Sequence, residues 1–170
     1  MIIGLMADSH DRVPAIRELL ERMVERGVGM VLHAGDYCSP FSLAPFLELS
    51  IPFAGVFGRN DGDREGLRAF AAKAVGIELY ESPHSIEVGG RRILLVHDLG
   101  EVAERSLESH EFIVHGFTHT QEIRELDTGP IIVNPGEACG WLFGTPAAAV
   151  LDLETKTIDF ISLTEPAWKV

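Results

Sequence analysis

Short apolar runs recur along the chain, and four of them end in side chains with oxygen or nitrogen donors. Ile2–Met6 leads into Asp8-Ser9-His10, and Met30-Val31-Leu32 leads into Asp36. The run at 93–96 leads into His97, and Ile113-Val114 leads into His119. Between the first runs the apolar spacing turns helical. Val13, Ile16, Leu19, Leu20, Met23 and Val24 recur at intervals of three and four, Pro14 suits a first turn, and Gly27 suits a stop. The pattern predicts a helix over 12–26 between buried strands at Ile2–Met6 and 29–32. A short helix over 40–49, with Ser39 as cap and Pro40 as first helical residue, precedes a third strand at 51–56 and a helix over 63–75. Strand–helix–strand repeats of this length imply right-handed crossovers and a parallel sheet, whose sites lie past the carboxyl ends of the strands.

The second half changes character. Residues 85–88, Gly89-Gly90 and 91–96 read as a hairpin with a two-glycine turn. A short helix is expected near 100–107, with strands near 111–114, 120–126, 130–134 and 146–151. A last strand, 157–163, follows the turn Glu154-Thr155-Lys156. No linker, repeat or composition shift divides the 170 residues, so one domain over 1–170 is expected, with a pair of mixed sheets and helices outside.

Charge narrows the partners. Fourteen Lys and Arg against 26 Asp and Glu leave a net charge of −12, which argues against a broad nucleic-acid or anionic-membrane surface. A small phosphate-bearing substrate stays compatible, because a bound cation reverses the potential locally. No apolar run approaches the ~20 residues of a membrane span. Two cysteines, Cys38 and Cys139, make no disulfide framework, and no secretory leader is evident, so a cytoplasmic location is expected. A homo-oligomer is left open.

Asp8 and His10 stand two apart, and on an extended segment such residues point the same way, aiming a carboxylate and an imidazole at one point. That donor pair suits a divalent transition metal. In chain order the polar punctuation reads D-S-H (8–10), G-D (35–36), G-R-N-D (58–61), V-H (96–97), G-F-T-H (116–119) and N-P-G (134–136). This series resembles the calcineurin-like metallophosphoesterase superfamily, and its small single-domain phosphodiesterases of archaea and bacteria above all. The family pattern is D-x-H, G-D, G-N-x-D, a lone His after a strand, and G-H-x-H. The resemblance runs from residue 2 to about 163 and implies a four-layer α/β/β/α sandwich of two mixed sheets.

The resemblance also implies two metal sites bridged by one aspartate. The first would use Asp8, His10, Asp36 and His119, all present. The second would use Asp36, the Asn of G-N-x-D, the lone His and the first His of G-H-x-H. His97 is present, but Arg59 stands at the Asn position and Phe117 at the His position. Random decay should strike both sites, whereas here one reads complete and the other stripped. A guanidinium beside a divalent ion would repel it, and Phe117 offers no donor. One ion is therefore favoured over two, with Arg59 taking part of the second metal's role by holding a phosphate oxygen. Two neighbours offer substitute ligands: Asn60 beside Arg59, and His115 two residues before Phe117.

The implied function is metal-dependent hydrolysis of a small phosphoester, a diester rather than a monoester. The candidate ligands are Asp8, His10, Asp36, His119 and His97, and the ion Mn, Fe, Zn or Ni. Arg59, His97 and Asn60 are the candidate catalytic side chains. At position 60 the family often carries a histidine that protonates the leaving group; Asn60 here favours substrates with good leaving groups. A single ion loses one of two Lewis acids, so a lower rate is expected. The alternative is a non-catalytic phosphate-binding or protein-interaction scaffold, as in the retromer's phosphoesterase-like subunit, although a scaffold has no need of Asp8, His10, Asp36 and His119 together. His33 is expected to pack or hydrogen-bond near the site, Asp61 to orient neighbours, and Cys38 to be a small buried thiol. His84 and His110 read as surface residues, and the acidic positions 101, 104 and 108 as a solvated helix face.

Overall fold

The computed structural model describes residues 1–74 and 76–165. The chain runs β1 (Ile2–Met6), α1 (Val13–Glu25), β2 (Val31–His33), a 3-10 turn at Pro40–Leu43 that leads into α2 (Ala44–Glu48), β3 (Phe53–Val56) and α3 (Arg64–Ala71). Next come β4 (Ile77–Tyr80), β5 (His84–Val88), β6 (Arg91–Leu95), a 3-10 turn at Leu99–Glu101 and α4 (Glu104–Ser109). The last strands are β7 (Phe112–Val114), β8 (Glu122–Glu125), β9 (Ile131–Asn134), β10 (Ala147–Asp152) and β11 (Ile158–Ser162).

Two mixed sheets form. The larger has the order β11-β10-β1-β2-β3-β4, the smaller β5-β6-β7-β9-β8. Strands β1 to β4 are parallel, as are β6, β7 and β9; β10, β11, β5 and β8 run antiparallel to their neighbours. Alternation along β1 divides the core. Ile3 and Leu5 point between the sheets, where they meet Leu32, Ala54, Ile93, Leu95, Phe112, Val114 and Val133. Met6 faces the other way and joins Ile16, Leu19, Leu20 and Met23 of α1. On the far side of the smaller sheet Leu94, Val96, Ile113 and Ile132 pack on Leu99, Val102 and Leu107. The result is the four-layer α/β/β/α order, each sheet buried on both faces where its strands are parallel.

Register sets up the site. Leu5 pairs with Leu32 and Leu32 with Ala54, so β1, β2 and β3 end side by side. Leu95 pairs with Val114 and Val114 with Val133, so β6, β7 and β9 do the same in the other sheet. The loops after six strands thus open onto one edge of the sandwich.

Three local expectations need correction. The segment 40–49 starts as a 3-10 turn before becoming α-helical. The helix expected near 100–107 is broken in two by extended backbone at Val102 and Ala103. Strand β4 was not anticipated: its Ile77-Glu78-Leu79-Tyr80 is a sheet edge with one half-covered face, and two aliphatic residues give too little pattern. The helix expected over 63–75 is observed over Arg64–Ala71, and its expected last position lies outside the described residues. The expected solvated face holds, with Glu101, Glu104 and Glu108 exposed.

Candidate metal centre

The strand-end loops carry the site on strained backbone. Asp8, His10, Asp36 and His119 all have positive φ, at 52°, 39°, 62° and 60°. Non-glycine residues rarely adopt this left-handed conformation, and where they do the surrounding structure must over-determine it. The neighbouring loops supply that constraint: Asp8 N–H donates to Gly35 O, and the N–H groups of Ser9 and His10 both donate to Asp36 O. Asp8 and His10 therefore converge through a left-handed turn beyond β1, and not by the period-two alternation of an extended strand.

Three imidazoles share one arrangement. His97 donates from Nδ1 to Ala34 O at 2.8 Å, His10 sets Nδ1 3.3 Å from Cys38 Sγ, and His119 sets Nδ1 2.9 Å from Glu137 Oε2. Each ring's Nε2 faces a carboxylate instead. His10 Nε2 lies 3.6 Å and His97 Nε2 3.5 Å from Asp36 Oδ2, and His119 Nε2 lies 3.7 Å from Asp8 Oδ1. These separations are too long for hydrogen bonds. They are close to the roughly 3.4 Å between two donors that share a tetrahedral cation. Asp8 Oδ2, His10 Nε2 and His97 Nε2 are buried without any hydrogen-bond partner. Unpaired buried polar atoms are costly, and three of them in one place fit a cation that the donors would jointly hold. The candidate ligand atoms of Asp8, Asp36 and His97 lie within 4.8 Å of one another, as do those of His10, His119 and Cys139.

Asp36 is clamped from behind. Asp61 is buried, and its carboxylate accepts the N–H groups of Tyr37 at 2.6 Å, Gly58 at 2.6 Å, Cys38 at 2.9 Å and Asp36 itself at 3.3 Å. Asp61 thus does orient its neighbours. Gly58 is required by contact: a Cβ there would fall 2.2 Å from Asp36 Oδ1.

The stripped half of the expected pair is arranged differently from the sequence expectation. The ion pair of Arg59 is with Asp98, and its guanidinium lies over the Phe117 ring, 4.3 Å from the centroid. Phe117 in turn meets the His97 ring edge-on at 5.8 Å. Arg59 is more than half exposed and stands at the rim. Asn60 is the residue that turns inward, donating from Nδ2 to Asp36 Oδ2 at 2.7 Å and from its backbone N–H to Asp36 Oδ1 at 2.8 Å. His115 is turned away from the centre, with Nε2 3.3 Å from Glu122 Oε2. His33 is fully buried, its Nε2 on Ser9 Oγ at 3.0 Å and its Nδ1 accepting Gly35 N–H at 3.1 Å. It supports the loop as expected. His84 and His110 are half-buried rather than fully exposed, His84 stacked on Tyr80 and His110 bonded to Ser106 O and Ser85 Oγ.

Sequence reading missed Glu137. It follows β9 just as Asp8 follows β1, and it is the one acidic residue in an apolar stretch, with Cys139 two residues on as its nearest ligand-type neighbour. Beside it the large side chains of Trp141, Leu142 and Phe143 are 54%, 67% and 64% exposed. Trp141 Nε1 donates to His10 O at 3.4 Å, and Arg12 lies over the Trp141 ring.

Burial dominates the electrostatics. It pushes the Asp8 carboxyl up from 3.8 to about 6; His119 and His97 pull the other way, and Asp36 adds to the rise. Burial likewise lowers His10, against the attraction of Asp36, and holds His33 well below the ordinary imidazole range. It raises the Cys38 thiol to about 11 and the Cys139 thiol to about 12. Burial thus favours the neutral forms of the Asp8 carboxyl and the His10 imidazole alike.

Residues 1–156 match the family model described as the calcineurin-like phosphoesterase superfamily domain. The chain is 31% identical over 159 residues to a phosphodiesterase of Methanocaldococcus jannaschii, covering 92% of this chain and 95% of the relative. It is also 31% identical to a protein of Methanothermobacter thermautotrophicus named as a metallophosphoesterase, over 94% of this chain and 90% of that one. Among solved structures, an archaeal phosphodiesterase superposes with a TM-score of 0.87 at 31% identity, over 96% of this chain and all of the other. The Escherichia coli phosphoesterase Yfce, at 15% identity and a TM-score of 0.68 over 96% of this chain and 98% of its own, shares the fold.

Proposed function

The chain belongs to the calcineurin-like phosphoesterase superfamily, and we propose that it hydrolyses a small phosphodiester at a centre where Asp8, His10, Asp36 and His119 hold one divalent transition cation. The observation that carries this reading is the set of imidazole Nε2 atoms facing carboxylate oxygens at 3.5–3.7 Å, with Asp8 Oδ2, His10 Nε2 and His97 Nε2 left unpaired in the interior. The 31% identity to a protein named as a phosphodiesterase supports the diester. A cation held there supplies Lewis acidity to the phosphoryl oxygens and acidifies the attacking water.

The chain's own groups do the rest. Asp61 and Asn60 fix Asp36, the first through its backbone and the second through its carboxylate. His97 has its Nδ1 committed to Ala34 O, so its Nε2 offers a lone pair to the cation or accepts a proton from water beside Asp36. Arg59 stands at the rim, where exchanging Asp98 for a phosphate oxygen gives the substrate a bidentate partner in front of Phe117. No acidic hydrogen is presented by Asn60, so the leaving group departs without a proton donor at that position, which favours acidic alcohols and phenols. Phe117 supports one cation rather than two, since its ring lies against His97 and offers no lone pair.

The test is reconstitution of metal-stripped protein with Mn²⁺, Fe²⁺, Zn²⁺ or Ni²⁺, with bound metal counted and turnover followed on a chromogenic phosphodiester and its monoester. One tight equivalent and faster diester turnover are expected. Two tight equivalents would end the single-cation proposal, and no turnover with any of the ions would end the hydrolase proposal.

A further inference from the structure

Glu137 is buried, and its carboxylate accepts from His119, from the backbone of Leu142 and Phe143 and from the Cys139 thiol. Oε2 lies 2.9 Å from His119 Nδ1 and 3.0 Å from Leu142 N, and Oε1 lies 2.6 Å from Phe143 N and 3.1 Å from Leu142 N. An ionised carboxylate only accepts, so the proton between Glu137 and His119 resides on Nδ1. His119 Nε2 is then a bare lone pair, directed at Asp8 Oδ1 from 3.7 Å. The rings of His97 and His10 have their Nδ1 atoms set by a carbonyl and a thiol; His119 alone of the three is held by a full negative charge.

We propose that Glu137 is a positioning residue that locks His119 as the Nδ1–H tautomer with Nε2 free to ligate, and that the same carboxylate ties this lock to the exposed segment Trp141-Leu142-Phe143. The proposal rests on reading the centre as a cation site. A carboxylate behind a ligating imidazole fixes its orientation and raises its basicity. Here it also accepts the backbone N–H groups of two consecutive residues, so the ring and the segment are set by one group. Displacing Leu142 and Phe143 withdraws their N–H groups from Glu137 and loosens His119.

The discriminating substitution is Glu137→Gln. Its amide oxygen can still accept from Leu142 and Phe143, but the amide nitrogen then faces His119 Nδ1 and donates to it. The proton is driven to Nε2 and the lone pair is lost, the wrong-tautomer effect of replacing a histidine's carboxylate partner by an amide. The experiment is nitrogen-15 NMR of the metal-free full chain at mildly alkaline pH, paired with Mn²⁺ titration. Wild-type protein should show His119 protonated at Nδ1. The variant should show it protonated at Nε2, keep the Leu142 and Phe143 amides protected from exchange, and bind Mn²⁺ about 10–100-fold more weakly. In a His119→Ala background the same substitution should shift Mn²⁺ affinity less than about twofold. If Glu137→Gln fails to fold, the wild-type tautomer still decides. Nε2–H in a wild-type protein that binds Mn²⁺ overturns the role of Glu137 alone, as does a full loss of affinity that persists without His119. Nδ1–H in a wild-type protein that binds no Mn²⁺ overturns the cation site beneath it.

Discussion

Replacing Asp8 by Asn should make the metal-free protein more stable while abolishing its cation site. Asp8 is completely buried, and its carboxyl is raised from 3.8 to about 6 chiefly by burial. Its Oδ2 has no hydrogen-bond partner, and Oδ1 has only the Phe117 N–H at 3.4 Å. A rise of about two pH units, at 1.36 kcal/mol per unit, means that the ionised side chain costs the folded state about 3 kcal/mol at neutral pH. Asparagine is neutral, can accept from Phe117 and tolerates the left-handed backbone at φ 52°. The sign follows from linkage. The folded pKa is above the unfolded one, so the cost is fully present above about 6, shrinks as pH falls, and is gone near 3.8. Urea unfolding of chelator-treated protein should therefore give Asp8→Asn an advantage of about 2–3 kcal/mol at neutral pH that disappears toward pH 4. Added Mn²⁺ should raise the stability of the wild type only. Equal or lower stability of the variant without metal at neutral pH, or an advantage that grows on acidification, would refute the reasoning.

Further outcomes follow from the same geometry. Cation affinity of the wild type should fall as pH drops below about 6, approaching tenfold per unit as one proton competes for Asp8; a fluorescent-chelator competition series would show this. The double change Arg59→Asn, Phe117→His should raise bound metal from one to two equivalents and increase diester turnover, measured by elemental analysis and a colorimetric assay; no added metal would remove the explanation given for those positions. Asp61→Ala orphans the N–H groups of Asp36, Tyr37, Cys38 and Gly58, and should cost about 3 kcal/mol or more in thermal or urea unfolding while weakening metal binding.

Much of the scaffold is written locally. The helical spacing from Val13 to Val24 and the continuous runs at β1, β2, β6 and β7 are burial patterns within a dozen residues, and burial periodicity is a property of the chain itself. Edge strand β4 escaped because half-covered edges carry little of that pattern. The donor types and their order after strands were equally legible: Asp8, His10, Asp36, His97 and His119 do share one end of the sandwich, brought there by the aligned ends of β1, β2 and β3 and of β6, β7 and β9.

Which side chain faces inward was decided only by tertiary structure. Asn60 rather than its neighbour Arg59 reaches Asp36, because Gly58 and the Asp61 clamp set the loop's twist. His115 goes to Glu122 because β9 alone separates β7 from β8, and Glu137 meets His119 across two separate loops. The left-handed turns at Asp8, His10, Asp36 and His119 are likewise sustained by hydrogen bonds between segments distant in sequence. Alternation of apolar and polar residues specifies which face of an element is buried. The direction of a side chain beyond a strand's end depends on backbone torsions that neighbouring loops impose, and no local pattern encodes those.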